Sequence, residues 1–130
     1  MSSKILFVVV FLFSLSSFGN LMVGKNQSVL SQPDAQKSLG EISQLDPRRI
    51  KACEYAQFTS ETEDNIGLNC GQFIVIDSVR IVDPLLREVF PSQIINRLNQ
   101  RGFKGQCSVT QITKSGNFEG LYKTCIFQRP

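Results

Sequence analysis

The chain has 130 residues, 19% charged and 42% hydrophobic, with 14 Lys and Arg against 11 Asp and Glu; it is one small globular domain, neither a multidomain enzyme nor a disordered tail. A formal charge of +3, evenly spread, is too weak for a phosphate-tracking surface, so nucleic acid is not an expected partner. The absence of His removes Ser-His-Asp and Cys-His catalysis and the commonest neutral metal ligand, so no enzyme activity, cofactor or metal is expected.

Lys4 is followed by the apolar run Ile5 to Phe13 and by small residues ending in Ser17-Phe18-Gly19. Charged, apolar and small-x-small regions in that order read as a secretory signal over residues 1–19, with a mature start at Asn20 and an extracellular destination. The apolar run is short of the ~20 residues a bilayer needs and no second run follows, so no membrane association is expected after cleavage. Residues 1–19 hold one Lys and no acid, which leaves 13 bases against 11 acids from Asn20 onward.

Residues 20–45 have little apolar periodicity and read as an extended leader, with Asn26-Gln27-Ser28 as an acceptor triplet for N-glycosylation. Asp46-Pro47 pairs a capping carboxylate with Pro at a first helical position, and Ile50, Cys53 and Ala56, flanked by Tyr55 and Phe58, give a helical apolar stripe. A helix is therefore expected to start at Asp46, with Glu61, Glu63 and Asp64 at its solvated end. Leu68 to Val82 is strand-like around Phe73-Ile74-Val75-Ile76, with a polar pair at Asp77-Ser78, until Asp83-Pro84 breaks it. Leu85 to Phe90 reads as a further strand ended by Pro91, and Ile94, Ile95 and Leu98 as a turn or two of helix. Cys107 to Thr113 and Leu121 to Phe127 form a hairpin across the turn residues Lys114-Ser115-Gly116-Asn117.

The expected fold is α+β, one amphipathic helix on a four- to five-stranded antiparallel sheet over residues 46–130, and a monomer. Cys53, Cys70, Cys107 and Cys125 in an exported chain read as two disulfides, and spacing alone leaves three connectivities open. The pairing of Cys53 with Cys70 and of Cys107 with Cys125 is favoured because each pair brackets a short segment able to fold back. Each such loop would contribute about 3 kcal/mol.

Asp46-Pro47-Arg48-Arg49-Ile50-Lys51-Ala52-Cys53-Glu54-Tyr55-Ala56-Gln57 resembles the opening of the plant cystatin helix without a gap. In the same register, Asn65, Leu68-Asn69-Cys70, Phe73-Ile74 and Leu86-Arg87-Glu88-Val89 fall on further family positions. Cys107 and Cys125 are similar to the last-hairpin cysteines of animal secreted cystatins. The resemblance spans roughly residues 21–128 and implies a wedge that blocks a papain-like cysteine protease reversibly. Its three elements would be Val23-Gly24, a first loop at Val79-Arg80-Ile81-Val82-Asp83 and a second at Ser115-Gly116. Asp83 stands where the family has Gly, and the chain has no Trp where the family's second loop has one, so the implied inhibition is weakened. By composition alone, Val79 to Val82 also reads as strand core and Asp83-Pro84 as a strand terminator. The alternative is a non-inhibitory binding protein on the same fold. A weaker likeness, to galactose- and rhamnose-binding lectin domains, would give Glu54 and Lys123 to sugar hydroxyls.

Overall fold

Ser31-Gln32-Pro33-Asp34 opens the first element of the structure, a computed structural model that describes residues 28–130. The Ser31 hydroxyl accepts from the Asp34 amide at 3.3 Å, Pro33 sits in the first helical turn, and helix α1 runs Gln32–Ser43. Its buried residues Ala35, Leu39 and Ile42 follow helical spacing. The leader expected to be extended through residue 45 thus contains a capped helix whose apolar stripe is three residues long.

The second correction falls on Asp46-Pro47. Asp46 accepts from the Arg48 amide at 2.9 Å through Oδ1, and its carbonyl accepts from Arg49 and Ile50, which closes a turn rather than starting a helix. The chain then extends into strand β1, Ala52–Thr59. Cys53 and Tyr55 point to one face and Ala56 to the other, and all three are at most 1% exposed. A central strand buried on both faces is apolar at adjacent positions, and that run also fits a helical stripe.

Strands β2 (Asp64–Cys70) and β3 (Phe73–Ile81) follow as a hairpin. Helix α2, Pro84–Gln100, then replaces the expected strand at Leu85 to Phe90. Asp83 Oδ1 accepts from the amides of Leu85 (2.8 Å) and Leu86 (3.3 Å), supplying the cap. Leu86, Phe90, Ile94 and Leu98 form one buried stripe at i, i+4 spacing that passes straight through Pro91. Pro inside a helix normally ends it, but here the stripe buried on both sides of Pro91 outweighs the lost hydrogen bond.

Strands β4 (Lys104–Lys114) and β5 (Asn117–Gln128) form the expected last hairpin, joined by Ser115-Gly116. Both turn residues have positive φ, 54° and 78°, which gives the twist-matched two-residue turn. The sheet is antiparallel and five-stranded, in the order β3-β2-β1-β5-β4. The described residues are therefore α+β, with two helices where one was expected.

Both helices cover the same sheet face, where Tyr55, Ile66, Leu68, Ile81, Phe90, Phe103 and Phe127 form one core with the two helical stripes. Cys53–Cys70 and Cys107–Cys125 are disulfide-bonded, the favoured pairing, each between directly opposed residues of neighbouring strands. Two disulfides fit an oxidising, extracellular compartment. No described helix is long and apolar enough to cross a membrane. The expected signal segment 1–19 and the expected site residues Val23, Gly24 and Asn26 lie outside the described residues.

Candidate functional site

One end of the sheet gathers the turn between β1 and β2, the junction between β3 and α2, and the tip of the β4–β5 hairpin. The register fixes this: Thr59 pairs with Asp64 and Leu121, and Asp64 pairs with Ile81. β5 continues for residues 117–120 beyond its last β1 partner. Gly120 is buried against Thr59 and Phe58, so residues 117–119 overhang the neighbouring strand, by roughly 10 Å at about 3.3 Å per residue.

A buried polar network holds the other two elements of this end in place. The Asp64 residue is 2% exposed. Its Oδ2 accepts from Gln57 Nε2 at 2.9 Å and Thr59 Oγ1 at 3.2 Å, and its Oδ1 from Arg87 Nε at 2.9 Å. Arg87 also donates to the carbonyls of Ser60 (2.7 Å) and Glu61 (3.1 Å), so one guanidinium on α2 ties down the β1–β2 turn. The Tyr55 hydroxyl donates to Gln57 Oε1 at 2.9 Å. Burial, and secondarily the Asp64 charge, hold the Tyr55 phenol far above its ordinary pKa, so it stays a neutral donor. Asp64 was expected at a solvated helix end; pairing with Arg87 allows its burial instead. Beside this network Gln57, Thr59, Pro84 and Glu88 help line an open depression of about 370 Å³. Every polar atom of Asp64 and Gln57 named here has a partner, so the arrangement holds shape rather than presenting a free nucleophile or base.

The wedge residues inferred from sequence separate into three groups. Val79, Arg80 and Ile81 are the end of β3, so the first loop is not a hairpin loop at all. Ile81 is fully buried, and Arg80 is engaged on both main-chain sides by Ser28 and Leu30 while its side chain lies 3.3 Å from Glu63. Val82 is 44% exposed, but Asp83 is committed to capping α2. The fold reason is the strand-to-helix junction, which Asp83 caps. Ser115 and Gly116 do occupy an exposed tip. That tip and Val82 lie toward opposite edges of the sheet, three to four strand spacings apart, roughly 14–19 Å.

Glu54 and Lys123 are not brought together. Lys123 pairs with Gln57, three residues along β1 from Glu54, and an odd offset puts the two side chains on opposite faces. Glu54 lies away from the helices, and burial raises its carboxyl pKa.

The residues that sequence reading missed lie on the last hairpin. All eleven residues of β4 are exposed. Val109 is 58% exposed, Ile112 37%, Phe118 54% and Leu121 42%. Alternation along β4 gave the strand, but nothing local says that no layer covers it. Among the described residues no cluster of three or more His, Cys, Asp or Glu is arranged to hold a metal ion. Comparison with protein-family models, with curated proteins and with solved structures finds no match to this chain.

Proposed function

We propose that this chain is an exported, non-enzymatic protein that binds a protein partner through the tip of the β4–β5 hairpin, the partner being a papain-like cysteine protease blocked reversibly at its cleft. The overhang of residues 117–119 carries the reading. Cys107–Cys125 braces the ribbon in advance, so little conformational freedom is lost when the tip is gripped. Phe118 and Ile112 flank the turn and stand half-exposed, and a rigid aromatic side chain at a protruding tip is the kind of group that supplies binding energy in a cleft. Because β3 runs directly into α2, contact rests on one protruding element, not three. Affinity on the order of micromolar follows.

The test is titration of papain with refolded protein spanning Asn20 to Pro130, followed by hydrolysis of a peptide substrate. Saturable inhibition at roughly micromolar concentration, weakened about 30-fold or more by Phe118→Ala, is expected. Unchanged hydrolysis at tens of micromolar folded protein overturns the protease partner. Equal inhibition by Phe118→Ala overturns the tip.

A further inference from the structure

The two edges of the sheet differ. β3 is blunted: its pairing with β2 shifts register twice, Ser78 takes a φ of 50°, and the Arg80 main chain is already bonded by Ser28 and Leu30. These are ordinary devices against edge-to-edge association. β4 keeps unbroken register with β5 from Lys104 to Ile112, and among the described residues no strand pairs with its outer side.

The groups that β4 offers follow from one distance. Cys107 and Cys125 are directly opposed with Cα atoms 4.1 Å apart, the narrow spacing of a pair that exchanges no main-chain hydrogen bonds. The N–H and C=O of Cys107 therefore point away from β5. With a period of two, those of Gly105, Val109 and Gln111 do the same. Four consecutive outward positions make a template for an added strand.

Charge selects the occupant. β4 begins at Lys104, ends at Lys114 and contains no carboxylate. β5 adds Lys123 opposite Val109, with one acid, Glu119, at the bulge near the tip. A second copy pairing antiparallel about Val109 would set Lys104 against Lys114 at both ends, a destabilising opposition. We propose that the outer edge of β4 is a strand-addition site for an extended segment of a protein partner that carries carboxylates about ten residues apart. This site is distinct from the hairpin tip and does not depend on protease binding.

The probe is a capped eleven-residue peptide of alternating threonine and valine with glutamate at each end, against a control with lysine at each end. Binding is read by amide chemical shifts and hydrogen exchange on the protein from Asn20 to Pro130. The glutamate-ended peptide is expected to bind at least tenfold more tightly than the control, to weaken with salt, and to protect the amides of Gly105, Cys107, Val109 and Gln111. Val109→Pro removes an outward N–H while sparing the bonds to β5, and is expected to lower binding at least tenfold. Phe118→Ala should leave it unchanged, which separates this site from the tip. Equal binding of both peptides, protection of the alternate amides instead, or undiminished binding by Val109→Pro overturns the proposal. Should Val109→Pro fail to fold, the pattern of protected amides in the unaltered protein decides alone.

Discussion

Arg87→Met is the most direct test of how the sheet end is held. The substitution keeps the apolar stem and removes the guanidinium, which makes one bond to a carboxylate and two to main-chain carbonyls. The Asp64 side chain is 3% exposed and that of Arg87 22%, so the pair lies between a solvent-screened surface bridge, at about 0–1 kcal/mol, and a fully buried one, where deleting a partner costs about 3–5 kcal/mol. Since Asp64 cannot move to water without breaking its bonds to Gln57 and Thr59, the cost should approach the buried limit, at about 3 kcal/mol. For a domain of this size that lowers Tm by roughly 12 °C or more. Urea and thermal unfolding of Arg87→Met, Asp64→Asn and the double variant measure it. The double variant should cost clearly less than the sum of the singles, because neither charge is then left alone. A loss below about 1 kcal/mol for Arg87→Met, or strict additivity, refutes the reasoning.

The remaining predictions concern the core and the edge. Replacing Cys107 and Cys125 together by Ala should lower stability by about 3 kcal/mol, and Cys53 with Cys70 by more, because their fully buried sulfurs leave a cavity as well; denaturant melts of the two double variants give the comparison. Burial raises the folded-state pKa of Tyr55 well above the ordinary tyrosine value of about 10, so only the unfolded chain loses this proton as pH rises past 10. Stability contributed by Tyr55 is intact below pH 10 and falls by about 1.4 kcal/mol per pH unit above it, a slope that Tyr55→Phe should remove in urea melts at pH 9 to 11. Gly105→Ala would place a Cβ 2.4 to 2.9 Å from ring atoms of Phe127, itself 1% exposed. A loss of about 1–3 kcal/mol is expected on unfolding, and none at all would mean that the ring has room to move.

What could be read from the sequence depended on how local its cause was. The last hairpin was legible because Lys114-Ser115-Gly116-Asn117 and the alternating residues around it are short-range signals. The two Asp-Pro pairs show the limit. Asp46-Pro47 and Asp83-Pro84 present the same cap and the same fixed φ, yet the first closes a turn before β1 and the second starts α2. The residues beyond decide it: Leu86, Phe90, Ile94 and Leu98 repeat at four, whereas Cys53 and Tyr55 repeat at two and Cys53 is bonded to Cys70. The repeat at two was masked by Ala56, buried on the opposite face, and the repeat at four by Pro91.

The candidate surfaces were less legible because they arise from strand order. Asp64 and Arg87 are 23 residues apart, and neither has a neighbour in sequence that announces the other. β4 is exposed because β5 pairs directly with β1, so the last hairpin is added with its first strand outermost and, among the described residues, no further strand beyond it. The same step explains why Cys107–Cys125 lies where it does. β5 reaches the core through Cys125 and Phe127, but β4 is exposed along its whole length and has no buried side chain to hold its register, so the cross-strand disulfide supplies that restraint covalently. The outer main-chain groups of β4 and the exposed apolar side chains of the hairpin are thereby held in a fixed geometry.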